Sequence, residues 1–365
     1  MRSASTVMIA SESGAEFNMF GSYRYLLAHM VVIAHLWKSL AFWTGTYAVF
    51  SFYLLSGFLM CMVLNTSYGY TVSGIRRFLV NRALRIYPPY LIVLAVTATL
   101  LLNVENFASP FNVFVRFPVT EIGWIHNLFI FGINGPLTEP RMVPQSWSLD
   151  VELCFYVAMA LLLTRSKRIT TLWLIASVGY TVFMVASGVG LADRYTPLQA
   201  ASLPFSLGAA LFFYRDLVPT LGKRHIAVAV ALFVLNAATA EMVWGDPWTS
   251  APFYVSLFLS LAVIATLMRL DRKKMPDWFV KLDDRLGDLS YPIFLCHWAV
   301  TGMVVHFMFD GTQPLGATLF LSSIAFVNLL ALAINLAIDG TVNELRTRIR
   351  QAAMAKSEAA PVVPS

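Results

Sequence analysis

Residues 45–65 read GTYAVFSFYLLSGFLMCMVLN, with no Asp, Glu, Lys, Arg or His among them. At about 1.5 Å of rise per residue, a helix of this length covers about 30 Å, the thickness of a bilayer's hydrocarbon core. A stretch with no charge to present to water reads as a membrane span. The rest of the chain repeats the pattern. Of 365 residues, 58% are hydrophobic and 13% charged, whereas a soluble domain is about 45–50% apolar and about 25% charged. Ten apolar blocks stand near 21–42, 45–65, 87–104, 147–164, 170–188, 198–214, 225–241, 250–268, 289–308 and 315–338. Those at 87–104 and 198–214 are short or interrupted by Pro88, Pro89 and Pro204. The stretch Trp124–Ile133 is too short to cross and reads as interfacial or re-entrant. The expected fold class is an all-α integral membrane protein, about ten transmembrane helices in one bundle over residues 20–338. A tail of residues 1–19 precedes it and a tail of residues 339–365 follows. The first 18 residues hold no apolar core of a signal peptide.

Ten spans put both termini on one side. With that side cytoplasmic, 22 of the 26 Lys and Arg residues fall in inner segments and only Lys38, Arg116, Arg141 and Arg194 fall outside. Basic residues collect in cytoplasmic loops, so the net charge of +6 needs no nucleic acid partner. The bilayer is the expected partner, in a bacterial inner membrane. Cys61, Cys154 and Cys296 lie far apart inside apolar blocks, with no metal-binding spacing. They read as small buried side chains, and no metal is expected. GxSxG, P-loop, HExxH and GxGxxG motifs are all missing, which leaves soluble hydrolase, nucleotidase and zinc-protease readings without support.

Ionisable residues inside an apolar span are costly and mark function by default. The first span holds Arg24, His29 and His35. Eleven helical steps return to nearly the same face, so Arg24 and His35 share a side, roughly 16 Å apart along the axis. His29 points elsewhere and reads as structural. Glu152 lies just inside the fourth span, behind the interfacial Trp147, at about the depth of His35. A carboxylate beside His35 would fix its tautomer and stabilise the imidazolium, as a general base needs. Asp150 sits nearer the surface on another face. Arg82 and Arg85, one helical turn apart, suit phosphate groups, although the residues alone read first as an ordinary cytoplasmic cluster. Ser56 and Gly57 in the second span read as close helix packing, as do the small residues beside Tyr291 in the ninth, where His297 is a candidate to line a pathway. His126, His225 and His306 read as peripheral.

Taken in order, these residues resemble the acyltransferase-3 family of bacterial membrane acyltransferases over residues 20–338. Arg24 with His35 looks like the family's first-helix Arg–His pair. Phe52 through Phe58 resembles its FF-x-LSGF segment. Arg82 and Arg85 with Ile86-Tyr87-Pro88 resemble R-x-x-R-I-x-P. Trp147-Ser148-Leu149 with Glu152, Phe155 and Tyr156 is similar to WSL-x-x-E-x-x-FY. Leu289 through Trp298 resembles LSY-x-x-YL-x-HW. The chain departs from the pattern at Phe294, where the family has tyrosine, and at Ser51, where an aromatic is common.

The resemblance implies a cytoplasmic thioester donor, usually acetyl-CoA, bound near Arg24, Arg82 and Arg85. It also implies an acyl group delivered to a hydroxyl of a cell-surface carbohydrate such as an exopolysaccharide or O-antigen, with polysaccharide-synthesis machinery as a further partner. On this reading His35 acts as base, oriented by Glu152, or as carrier of a covalent acetyl group. Trp147, Ser56, Tyr291 and His297 line the substrate path. Two rivals are a transporter of a lipid-linked saccharide, for which the chain lacks inverted repeats, and a non-catalytic subunit of a polysaccharide-synthesis complex.

Overall fold

A computed structural model describes residues 19–41, 43–105, 107, 112, 114–135, 140–219, 223–244, 251–314 and 316–358. Most of the expected N-terminal tail and the last seven residues lie outside the described residues. Among the described residues every regular element is helical. In chain order they are α1 (Gly21–Leu36), α2 (Lys38–Ala41), α3 (Thr44–Val63), α4 (Val72–Asn103), α5 (Glu121–Phe129), α6 (Trp147–Ala158) and α7 (Lys167–Ala186). Then come α8 (Ser202–Phe213), α9 (Lys223–Trp244), α10 (Ala251–Leu267), α11 (Asp277–Phe309), α12 (Gly316–Asp339) and α13 (Thr341–Glu358).

A helix stands at each of the ten expected places. Six segments among the described residues are long and apolar enough to cross a membrane: Thr44–Tyr68, Val72–Asn103, Pro144–Leu163, Lys167–Ala186, Asp277–Phe309 and Gly316–Ile338. The helices at the other four places, α1, α8, α9 and α10, are not among these six, so six of the ten expected spans stand as candidates; α1 stops at Leu36 rather than near residue 42, where Trp37 leaves helical geometry (φ −126°, ψ 62°). The described residues are those of an all-helical protein with six segments fit to cross a membrane.

Other boundaries differ from expectation as well, and α11 begins at Asp277 rather than near residue 289. The third span begins at Val72, not near residue 87, and Pro88 and Pro89 lie inside one unbroken helix of 32 residues. Such a helix is about 48 Å long, so it outruns a hydrocarbon core of about 30 Å and carries Arg76, Arg77, Arg82 and Arg85 on its own first half. Proline costs a helix N–H groups, which takes the i+4 donor from the carbonyls of Leu84 and Arg85; close by, Tyr291 donates its hydroxyl to the carbonyl of Ile86 at 3.0 Å. The C-terminal stretch is likewise a helix rather than a bare tail. α13 packs on α4, with Asn81 Nδ2 donating to the Arg346 carbonyl at 3.0 Å and Arg77 donating to that of Ala352.

The segment containing α5 packs against the bundle. Tyr87 and Tyr90, midway along α4, donate to the carbonyls of Phe129 and Asn127 at 2.5 Å each. Gln145 reaches the middle of α11 and donates to the Phe294 carbonyl at 2.9 Å and to that of Leu295. Asn127, 1% exposed, donates to the carbonyls of Gly123 and Pro140 and accepts from the Met142 N–H. Irregular backbone at membrane depth persists only where protein groups satisfy it. These contacts fix the segment to α4 and α11, while Ile122, Trp124, Ile125, Leu128 and Phe129 of α5 stay exposed.

The pairing of α1 with α11 positions the site. Phe20, the N-cap residue of α1, makes no side-chain cap hydrogen bond. The carboxylate of Asp283, 3% exposed, caps the first turn from α11: Gly21 N–H donates to Oδ2 at 2.9 Å, and Ser22 N–H and Oγ donate to Oδ1 at 2.7 Å each. A carboxylate at a helix N-terminus satisfies its free N–H groups and its dipole together. The backbones nearly touch, since a Cβ on Gly287 would lie 2.9 Å from Gly21 Cα. Fourteen residues further along each helix His35 meets His297, so both pairs share a separation of 262 positions. Fourteen residues are two heptads, the repeat at which parallel helices face each other again. α1 and α11 therefore run parallel and in register for about 21 Å.

Candidate active site

Six of the expected site residues line one cavity of about 110 Å³: Arg24, Ser56, Arg82, Arg85, Glu152 and Tyr291. Phe52, Leu55, Leu149 and Phe294 supply apolar wall. The cavity is thus a largely apolar slot with three guanidinium groups and one carboxylate on its sides. The packing above explains the convergence. α1 brings Arg24, α3 brings Ser56, α4 brings Arg82 and Arg85, α6 brings Glu152, and α11 brings Tyr291.

Arg82 is 9% exposed. One guanidinium nitrogen donates to Asn81 Oδ1 at 3.1 Å, and the guanidinium carbon lies 5.9 Å from the Phe78 ring centre. Its buried Nε has no hydrogen-bond partner among the described residues. A buried N–H donor left without an acceptor is costly, and an anionic oxygen entering the cavity would satisfy it.

Glu152 accepts from Ser56 Oγ at 2.6 Å and from the Tyr156 hydroxyl, both on Oε1. It ties α3 to α6 across the cavity. The expectation that Glu152 orients His35 is corrected here. The hydrogen-bonding partner of His35 is His297, with Nδ1 to Nε2 at 2.9 Å and ring planes 9° apart. Depth along the axis matched Glu152 to His35, but depth does not fix the angular position around a bundle, and α11 occupies the side of α1 on which His35 lies. Asp150, 6% exposed, accepts from the Asn134 N–H at 3.0 Å, holding the segment that follows α5 to α6.

His35 is half-buried and His297 fully buried. His297 Nδ1 lies 2.8 Å from the Phe294 carbonyl oxygen. The Trp298 ring sits 5.1 Å from that of His35. Neither histidine is on the cavity wall. Phe294 links the two features, because its ring lines the cavity while its carbonyl holds His297. The Phe52 and Phe294 rings meet edge to face at 6.4 Å on that wall. Trp147 is off the wall as well, packed edge-on against Tyr195 at 5.3 Å. His29 belongs to a separate polar cluster: its Nδ1 donates to the Tyr25 carbonyl at 3.0 Å, and Asn328 Nδ2 donates to its Nε2 at 3.2 Å.

Three partners lay outside the sequence reading: Asp283 as the cap of α1, His297 as the mate of His35, and Tyr156 as a donor to Glu152. The first two carried a signal, since Asp283 to His297 spans the same two heptads as Gly21 to His35. Tyr156 is one turn from Glu152, a spacing at which helical side chains meet.

The model of an acyltransferase domain, the acyltransferase-3 type, matches residues 22–338. A Staphylococcus aureus (strain COL) protein named "Putative O-acetyltransferase" is 24% identical over 322 aligned residues, which cover 78% of this chain and 50% of that protein. The strain MW2 protein of the same name shows the same figures. Nodulation protein 10 of Rhizobium leguminosarum bv. viciae is 27% identical over 347 residues, covering 83% of this chain and 90% of that one. The chain spans about half the length of the staphylococcal relatives it matches. No solved structure matches it. With the family model covering nearly all of the helical bundle, and with Arg24, His35, Arg82, Arg85, Glu152 and the 289–298 segment at its centre, the chain belongs to the acyltransferase-3 family.

Proposed function

We propose that this protein is a membrane-bound O-acyltransferase that moves an acetyl group from cytoplasmic acetyl-CoA to a hydroxyl of an extracytoplasmic or lipid-linked carbohydrate, of exopolysaccharide or O-antigen type. It sits in a bacterial inner membrane with both termini cytoplasmic, and it works beside polysaccharide-synthesis machinery. One observation carries the reading. Three arginines, one with a buried and unsatisfied Nε, line an apolar slot whose Phe294 wall is shared with a paired histidine. Guanidinium groups suit the phosphates of coenzyme A, and the apolar walls suit its uncharged arm. Family membership favours this over a transporter or a non-catalytic subunit.

In this reading Arg82 and Arg85 hold the donor's phosphates, and Arg24 lies further along toward His35. Glu152, fixed by Ser56 and Tyr156, balances arginine charge and braces the wall. His35 removes the proton from the acceptor hydroxyl as that oxygen attacks the thioester carbonyl. The C–S bond breaks, and His35 returns the proton to the departing thiolate. The test supplies membranes carrying the protein with acetyl-labelled acetyl-CoA and follows label into carbohydrate. Label transfer that survives His35→Ala unchanged, or that never exceeds membranes without the protein, defeats the proposal.

A further inference from the structure

We propose that His297 is a positioning residue that holds His35 as its Nδ1–H tautomer, so that Nε2 of His35 is the atom that takes the acceptor's proton. The inference rests on the reading of His35 as base and adds which nitrogen acts and what selects it.

The chain of reasoning starts at a group with one role. The Phe294 carbonyl oxygen only accepts hydrogen bonds, and His297 Nδ1 lies 2.8 Å from it. That nitrogen therefore carries a hydrogen. A neutral imidazole has one donor nitrogen and one acceptor, so His297 Nε2 holds a lone pair. His35 Nδ1 stands 2.9 Å from this lone pair and must be the donor. The remaining nitrogen of His35, Nε2, is left with its lone pair free for a proton. A doubly protonated His297 would reverse the second bond. It would also put a positive charge on a ring with no solvent exposure, next to Phe294 and Trp298, where an uncompensated charge is costly.

The arrangement does for His35 what a buried acid does for the histidine of a serine-protease triad, selecting tautomer and ring direction. Here the orienting group is neutral. When His35 Nε2 gains a proton, its Nδ1–H becomes a charge-assisted donor to His297 Nε2, and the bond tightens as the proton arrives. The backbone carries the geometry. Gln145 donates to the same Phe294 carbonyl at 2.9 Å, and Asp283 sets the register of α1 on α11 two heptads away.

The test uses the full-length protein in lipid nanodiscs with ¹⁵N-labelled histidine, the His35 signals being assigned by difference against His35→Gln. The expected spectrum shows His35 Nδ1 protonated and Nε2 unprotonated. In His297→Phe, which keeps a ring and loses the acceptor, His35 should lose that preference and kcat should fall about 10²-fold. In His297→Gln, whose side-chain oxygen can accept from His35, at least about tenfold of kcat should return. A wild-type His35 protonated at Nε2 overturns the proposal. So does a fully active His297→Phe, or a Gln variant no better than Phe. An active His35→Ala would instead remove the reading of His35 as base, and the wild-type spectrum would still decide the tautomer.

Discussion

Replacing Gly287 by alanine adds one methyl group where α11 crosses α1. The new Cβ would lie 2.9 Å from Gly21 Cα and an ordinary 3.9 Å from an Arg24 guanidinium nitrogen. Carbon atoms rest at about 3.5–4.0 Å, so the two backbones must part by roughly 0.6–1 Å. No flexible side chain can absorb this, because the obstructing atom is backbone. Overpacking of this kind costs about 1–3 kcal/mol. The histidine pair lies ten residues, or about 15 Å, up the same seam. A separation carried that far would stretch its 2.9 Å bond beyond hydrogen-bonding range, and a misplacement of about 1 Å at a reacting group costs about 10²-fold in rate. The assay is acetyl transfer per inserted protein together with thermal unfolding in detergent. Gly179→Ala is the control: this glycine is exposed on α7 with nothing within 4 Å of a new Cβ. Alanine there should leave activity alone and add up to about 1 kcal/mol of helix stability. A Gly287→Ala protein as active and as stable as wild type would refute the in-register contact.

Arg82→Ala and Arg85→Ala should raise the KM for acetyl-CoA more than they lower protein level, and unchanged dependence on acetyl-CoA in both would remove the donor assignment. His35→Ala should lose about 10²–10⁴-fold in transfer, whereas His29→Ala should stay active and lose about 1–2 kcal/mol in thermal stability for its two hydrogen bonds to Tyr25 and Asn328. A stable but inactive His29 variant would show that the wrong histidine bears the chemistry. Glu152→Gln should weaken donor use and the α3–α6 brace while leaving the labelled His35 spectrum unchanged, since Glu152 bonds Ser56 and Tyr156 and not His35. Reporter fusions at the C-terminus should read as cytoplasmic.

Apolar block length made the helices legible, because hydrocarbon thickness imposes a length that composition cannot hide. The same signal missed where α4 begins: Val72 to Tyr87 is too polar to count as a span, yet it continues the helix without a break. Arg24 and Glu152 were legible as costly charges and Arg82 with Arg85 as a basic pair one turn apart, and a shared cavity brings the four together. The mate of His35 was not legible from depth. Rise per residue gives height, but which helix stands beside α1 depends on packing among helices far apart in the chain. α11 is 262 positions away, and its claim on α1 rests on a carboxylate and two glycines that look unremarkable in a list of residues.

The shared two-heptad interval also governs which changes in chain length this fold can tolerate. One residue inserted between Gly21 and His35, with Asp283 still holding the start of α1, turns His35 by about 100° away from its mate. An insertion of seven in α1 alone restores the direction to within about 20° yet carries the ring roughly 10 Å past His297. Only matched insertions in both helices keep the pair together. Length variation between relatives should therefore gather in the connections and be absent from Gly21–His35 and Asp283–His297, so a gap placed inside either interval would mark a misaligned sequence or a protein that has lost this chemistry.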